Sequence, residues 1–419
     1  MGITRRDFLK TSLVAAPVGA AMPAVFARTV AAAIDAQPAA APGERVLVVV
    51  QLAGGNDGLN TVVPANDSRY YDLRGLVGIP QEDVLALNAQ IGLHPALSSL
   101  KELWDEGHVA IVEGVGYPNP NYSHFVSMDI WENADPTGKA LEGWLGRYLA
   151  GIMPAQQAVV PSLAVDRSTP PSMRAQGAQV AVVKDLASYA VQSDPQGQAS
   201  ASMRTAALAQ LYEGAAGASP LALALEQTLQ TAQESAVALA LANRGYVPSV
   251  DYPATPLGQG LSLVAKAIAG RVGLRVGHVS MGGFDTHAGQ LPDHQALLTQ
   301  VAEAIHAFYR DLQAHGLDRN VVLMTWTEFG RRVTANASGG TDHGSAGPQF
   351  VVGTPVKGGL YGERPSLADL DRENLRYTTD FRSLYATLVE DWLGAPADLV
   401  LGGRFERLPL LDPAALSSA

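Results

Sequence analysis

"RVLVVVQLAGGNDG", residues 45–58, decides the fold. Arg45–Leu52 is a nearly continuous apolar run rich in valine, with no alternation of polar and apolar residues. A strand with one solvated face alternates, whereas a strand buried on both faces of a parallel sheet does not. The run breaks at Gly54 and Gly55 and delivers Asn56 and Asp57. In an open α/β sheet, ligands bind beyond the carboxyl ends of the strands. The residues after each apolar run are therefore the ones to watch.

Outward from this strand, the pattern repeats. "PALSSLKELWDEG" (95–107) is amphipathic, ends on glycine and leads into the apolar "HVAIVEGVG" (108–116). The helical "LGQGLSLVAKAIAG" (257–270) precedes a weaker strand, "GLRVGHVSMGG" (273–283). Residues 292–316 have helical apolar spacing, with Pro292 near the start and Gly316 at the end, and "NVVLMTW" (320–326) follows. "FVVG" (350–353) reads as a short strand and "TTDFRSLYATLVEDWLG" (378–394) as a capped helix. Strands alternating with helices predict a mostly parallel sheet covered on both faces. Residues 185–256 differ, being rich in Ala, Gln and Ser, and read as a helical insertion or cap with helices over 202–214 and 219–245.

The ends of the chain read differently. "TRRDFLK" (4–10), followed by a mildly apolar segment ending in small residues, has the pattern of a twin-arginine export signal over 1–33. The expected consequence is export of a folded protein to the periplasm or beyond, with the twin-arginine translocation machinery as a partner. The apolar segment is too short and alanine-rich for a stable membrane span. Residues 34–44 form a low-complexity linker, 45–405 the main domain, and 406–419 a tail.

Composition narrows the chemistry. A chain of 419 residues, 47% of them hydrophobic, has material for a large core. A net charge of −11 disfavours nucleic acid as a partner, because phosphate backbones demand a basic surface. There is no cysteine, which excludes disulfides, zinc–thiolate sites, iron–sulfur clusters and cysteine nucleophiles. Any metal ligands must be oxygen or imidazole.

The polar residues after the strands supply such ligands. Asn56 and Asp57 follow the first run, Ser123 and His124 the second, and Asp285 and His287 the third. Thr327, Glu328 and Arg331 follow the fourth, while Asp342 and His343 precede the short fifth run, inside "GGTDHG" (339–344). Three of these five loops carry paired glycines, which permit close backbone approach. Each group alone is an ordinary turn or cap. Together they are better explained by a metal site whose imidazole and carboxylate ligands suit zinc, manganese or iron, with carboxylate also suiting magnesium or calcium. Of the other histidines, His306 and His315 read as solvated positions on a helix, His278 as a core residue, and His94 as a helix entry beside Pro95. Trp131, Trp144 and Trp326 read as core.

The ordered set "LVVVQLAGGNDGLNTVVP", "SHFVSMDIWE", "GGFDTH", "MTWTEFGRR" and "GGTDHG" resembles the bacterial domain-of-unknown-function family 1501 over roughly residues 45–405. That family is similar to the alkaline phosphatase and sulfatase superfamily. The resemblance implies an alkaline-phosphatase-like three-layer α/β sandwich and one or two divalent ions at the strand ends. On that pattern Asp57, Asp285, His287, Glu328, Asp342 and His343 are the implied metal ligands. Ser123 stands in the nucleophile's place, beside His124, and Arg331 is the implied binder of an anionic oxygen, completing the candidate catalytic group. The sulfatase signature of Cys or Ser in a Cys-x-Pro-x-Arg-type run is absent, and Glu328 stands where an Asp-His pair is expected. The implied activity is metal-dependent hydrolysis or transfer of a phosphate or sulfate ester on a small molecule or polysaccharide. The alternative is an exported binding or assembly protein with a structural or degenerate site.

Overall fold

The structure, a computed structural model, describes residues 45–152, 158–184 and 220–418. The twin-arginine segment, the linker and the expected helix over 202–214 lie outside the described residues.

A nine-stranded sheet forms the centre. Its strands, in chain order, begin with β1 (Val46–Leu52), β2 (Val109–Gly116), β3 (Ser162–Val165) and β4 (Ala181–Val183). They continue with β5 (Val276–Met281) and β6 (Val321–Trp326). A separate hairpin of β7 (Arg331–Ala335) and β8 (Thr341–His343) follows. The sheet is completed by β9 (Gly347–Val352), β10 (Gly359–Tyr361) and β11 (Thr379–Asp380). The spatial order is β10-β2-β9-β6-β1-β5-β3-β4, with β11 also on β2. Every pairing is parallel except those of β9, which runs antiparallel between β2 and β6.

β1 lies at the middle, between β5 and β6, and all of Val46–Leu52 is buried. Val46, Val48, Val50 and Leu52 pack into one hydrophobic layer, and Leu47 and Val49 into the other. That two-sided demand is why the sequence shows no alternation. The first layer is built with helices Ser98–Asp105 (α2), Pro256–Ala269 (α6) and Gln290–Ala314 (α7). The second uses His124–Asn133 (α3), Trp144–Ile152 (α4) and Phe381–Thr387 (α8), where Trp131 stacks on Trp326 with ring centroids 5.7 Å apart. A short helix, Ser68–Arg74 (α1), lies beside the β7 hairpin, and Pro220–Gly245 (α5) realises the helix expected over 219–245.

The long helices and β1, β2, β5 and β6 fall where the sequence places them. Two readings change. The strand expected at 350–353 is six residues long and starts at Gly347. "TDH" is not loop: it is β8, the return strand of a hairpin whose partner begins at Arg331, so that Arg331 lies opposite His343.

Candidate metal centre

The carboxyl ends of β1, β5 and β6 and the start of α3 meet over one point, and the β7–β8 hairpin folds onto it. His124, Asp285 and His343 each offer a donor atom there, all within 4.8 Å of one another. His343 Nε2 is 3.0 Å from Asp285 Oδ1, and His124 Nε2 is 3.4 Å from Asp285 Oδ2. His287 joins them, with Nε2 at 3.0 Å from Asp285 Oδ1 and 2.9 Å from His343 Nε2.

The outer nitrogen of each ring is held by an acceptor. His124 Nδ1 is 2.7 Å from Glu328 Oε1, His287 Nδ1 is 3.1 Å from Asp342 Oδ1, and His343 Nδ1 is 2.7 Å from the Tyr122 carbonyl oxygen. A carbonyl or an ionised carboxylate can only accept, so each Nδ1 carries the proton. In neutral imidazole the Nε2 atom then presents a lone pair. Three lone pairs and a carboxylate therefore converge on one place. His124 Nε2 is buried and has no hydrogen-bond partner. The Arg331 guanidinium reaches two members of this assembly, Asp285 Oδ1 at 2.6 Å and His287 Nε2 at 3.4 Å, and leaves His124 Nε2 and His343 Nε2 without a cation of their own. A divalent ion would meet the donors of His124, Asp285 and His343 at once, with His287 beside them, and imidazole ligands whose second nitrogen is tied to an oxygen are the usual support of such an ion. The residues fit a metal centre of two imidazoles and one carboxylate, with the His287 imidazole at its edge.

The local chain explains the convergence. Ser123 is the N-cap residue of α3, which places His124 at the helix's first turn. Glu328 is fully buried beyond β6, where it accepts from the Gly54 amide at 2.9 Å and is fixed in front of His124. The glycine pairs permit contact of loop on loop. A Cβ on Gly54, whose φ is +122°, would stand 2.5 Å from the Asp285 amide nitrogen. One on Gly340 would stand 2.3 Å from the His287 carbonyl carbon. Buried Phe329 packs against both His124 and His343, with ring centroids 4.9 and 4.7 Å away, while the centroids of the two imidazoles are 4.4 Å apart.

Asp285 is held ionised. Burial opposes its charge, but the hydrogen bond and charge of Arg331, with His343 and His287 beside it, overcome that and keep it far below the usual carboxylate range. Asp342 is lowered too, first by its hydrogen bond from Asn336, with burial opposing and His287 adding to the effect.

The expected residues do not all gather at this point. Asp57, expected as a ligand, is fully buried and faces elsewhere. Its carboxylate pairs with the Arg74 guanidinium, accepts from Gln290 Nε2 at 2.6 Å and caps the turn at Asn60. Burial opposes ionisation, but the charges of Arg74 and His294 and the hydrogen bonds from Arg74 and Gln290 keep its pKa low. Glu328 and Asp342 support imidazoles rather than standing with the converging donors. His124, expected beside the nucleophile as a catalytic group, is instead one of the converging donors. Arg331, expected to bind an anion, is 1% exposed and its donors are engaged. They reach the Gly55, Thr341, Gly54 and Phe284 carbonyls, Asp285 Oδ1 at 2.6 Å, and His287 Nε2 at 3.4 Å. A guanidinium has five N–H groups, so none remains for a substrate. Ser123 is exposed, and its side chain makes no cap hydrogen bond. Its neighbours on either side, Tyr122 and His124, both touch the centre.

Sequence reading missed Phe329, Asn336, Gln290 and Arg74. Asn336 carried a faint signal, an Asn before a Ser-Gly-Gly turn; it donates to the His287 carbonyl at 2.9 Å and to Asp342 at 3.1 Å.

Fold and site together define an α/β protein with a mostly parallel sheet and a candidate metal centre at its strand ends. Residues 109–401 match the family described as "Protein of unknown function (DUF1501)", and the chain belongs to that family. No curated protein matches it. Among solved structures, the chain is similar to "Ps i-CgsB in complex with k-i-k-neocarrahexaose", with 9% identity, 86% of this chain and 73% of that chain covered, and a TM-score of 0.35. It is also similar to "BT1596, a 2-O GAG sulfatase", at 11% identity, 88% and 76% coverage and a TM-score of 0.32. A putative sulfatase from Bacteroides thetaiotaomicron gives 10% identity, 87% and 76% coverage and a TM-score of 0.33. Among the described residues, no helix is long and apolar enough to cross a membrane.

Proposed function

We propose that the chain is a metal-dependent hydrolase or transferase acting on a phosphate or sulfate ester, with one divalent ion held by His124, His343 and Asp285 and with His287 beside them. The observation that carries this reading is the convergence of three Nε2 atoms on one carboxylate, each ring tied by Nδ1 to a protein oxygen. An imidazole-rich donor set favours zinc, manganese or iron over magnesium or calcium. When bound, such an ion supplies Lewis-acid polarisation and lowers the pKa of a coordinated hydroxyl or water.

The protein's own residues do the rest. Glu328, Asp342 and the Tyr122 carbonyl fix the tautomers. Arg331 compensates Asp285 and locks the loops that carry it, so charge on a transferred group must be met elsewhere. The start of α3 is suited to that task, because first-turn amides point out of a helix N-terminus and favour anions. Ser123 stands at that position with its hydroxyl unused by the cap, and we assign it the nucleophile's role, with water as the substitute. The engagement of Arg331 also favours a second reading, a binding protein that holds the ion without turnover. One experiment separates the two: elemental analysis of the purified chain combined with a panel of aryl phosphates and sulfates. One ion per chain with ester turnover supports the enzyme, an ion without turnover supports the binder, and no ion after loading with zinc, manganese or iron removes both.

A further inference from the structure

We propose that Gln290, at the start of α7, is a positioning residue that sets the two ligand-bearing loops at the separation an ion requires. The proposal rests on the metal reading for what the loops do, and on independent contacts for how they are held.

Gln290 is fully buried. Its Nε2 donates to Asp57 Oδ2 at 2.6 Å. Its Oε1 accepts from Thr341 Oγ1 at 2.6 Å and from Thr286 Oγ1 at 3.2 Å. Its backbone amide donates to the Gly339 carbonyl at 2.9 Å. Thr286 lies between Asp285 and His287, and Thr341 directly precedes Asp342 and His343. One side chain thus grips both loops, each within two residues of a donor.

The grip depends on an amide. The Asp57 carboxylate only accepts, so the NH₂ group must face it, and the two threonine hydroxyls then donate to the amide oxygen. A glutamate would set two carboxylates together, and an aliphatic residue would release all three partners. Asp57 is in turn anchored by Arg74, itself fully buried. The line from Arg74 through Asp57 to Gln290 explains why a carboxylate after β1 faces away from the ion: it anchors the residue that places two ligands. Arg331 holds the same loops from another side, through Thr341, Phe284 and Asp285.

The test titrates zinc ion alone into the full-length chain and follows amide exchange in the metal-free protein. Gln290→Met should weaken zinc binding by about tenfold or more, as loss of a supporting hydrogen bond does in metal sites. Thr341→Val should weaken it severalfold. The double variant should bind no more weakly than Gln290→Met, because the hydroxyl acts through the amide. In the metal-free Gln290→Met chain, exchange should quicken at Gly289 and Thr341, whose amides bond across the loops to Ser338 and Thr286, and stay unchanged at Val48 in β1. Tyr70→Phe is the control for general loosening, since it removes hydrogen bonds to Asn60 and Ile79 on the far side of Asp57; it should keep wild-type zinc affinity and loop exchange. If Gln290→Met does not fold, the pair Thr286→Val and Thr341→Val carries the same expectations. A wild-type chain that binds no zinc removes the metal reading and leaves the exchange measurements to decide on Gln290. Zinc affinity within about twofold of wild type, together with unchanged exchange at both loops, overturns the proposal.

Discussion

His287 and His343 face each other Nε2 to Nε2 at 2.9 Å, and the opposite nitrogen of each ring is bound to a protein oxygen. If both rings hold their proton on Nδ1, the two Nε2 lone pairs face each other with Arg331 Nη1 3.4 Å from one of them, and an ion beside the other completes the arrangement. The first prediction follows. Zinc should raise the thermal midpoint and a chelator should lower it. Ligand at a hundred times its dissociation constant adds about 2.7 kcal/mol of stability. Replacing His343 or His124 with Ala should abolish the shift with zinc while the chain stays folded. Magnesium at the same concentration should shift the midpoint far less. An equal response to the two ions would contradict an imidazole-dominated centre.

Ser123→Ala should leave zinc content intact and abolish turnover of an aryl phosphate or sulfate. Because the Ser123 side chain makes no cap hydrogen bond, the substitution should cost little stability, below the ~1 kcal/mol typical of a lost cap. Full activity in this variant would assign the attack to water.

Arg74 and Asp57 are both fully buried and paired. Breaking such a pair from one side leaves an unpaired charge in the core. Arg74→Met is expected to cost about 3–5 kcal/mol in denaturant unfolding, and Arg74→Met with Asp57→Asn distinctly less. Additive losses from the two substitutions would argue against the pairing as the dominant contact.

His278 gives a pH dependence with a definite sign. It is fully buried, and burial lowers its pKa to about 4, with Asp166 opposing. The unfolded chain binds the proton near pH 6.5 and the folded chain does not. The unfolded state therefore binds more protons between these values, and stability falls as pH falls from 6.5 towards 4. The slope is about 1.4 kcal/mol per pH unit for one such group. His294, also lowered to about 4 by burial, adds to it. His278→Phe should flatten the acid limb by one proton's worth, read from denaturant midpoints at several pH values. An unaltered limb would mean that His278 titrates alike in both states.

Gly340→Ala tests the contact between the loops. The added Cβ would lie 2.3 Å from backbone of His287, which cannot rotate away as a side chain would. Weaker zinc binding and a loss of about 1–3 kcal/mol are expected, the latter by denaturant unfolding.

Much of the fold was legible because burial on both faces leaves a plain mark. β1 shows it in consecutive valines, and β6 in "NVVLMTW". β3 and β4 were missed because four and three residues are too few to show a period. β9 was read short because Gly347 and Gln349 interrupt its first half, although Gln349 is buried. In the site, the loops that carry chemistry were legible from residue type, and roles within them were not. A carboxylate that caps a turn and one that holds an ion look the same in sequence, so nothing there separates Asp57 from Asp285. An arginine near such loops looks like an anion binder. That Arg331 faces carbonyls of the distant Gly55 and Phe284, besides that of Thr341 in its own hairpin, depends on tertiary placement.

The four donors span positions 124 to 343, and β9, which starts only four residues beyond the last of them, must slot antiparallel between two strands already in place. A chain that stops short of this point would lack the strand that joins β2 to β6, the two strands whose ends lead to His124 and Glu328. Under the metal reading, zinc retention would therefore report that the chain has been made and folded at least through β9.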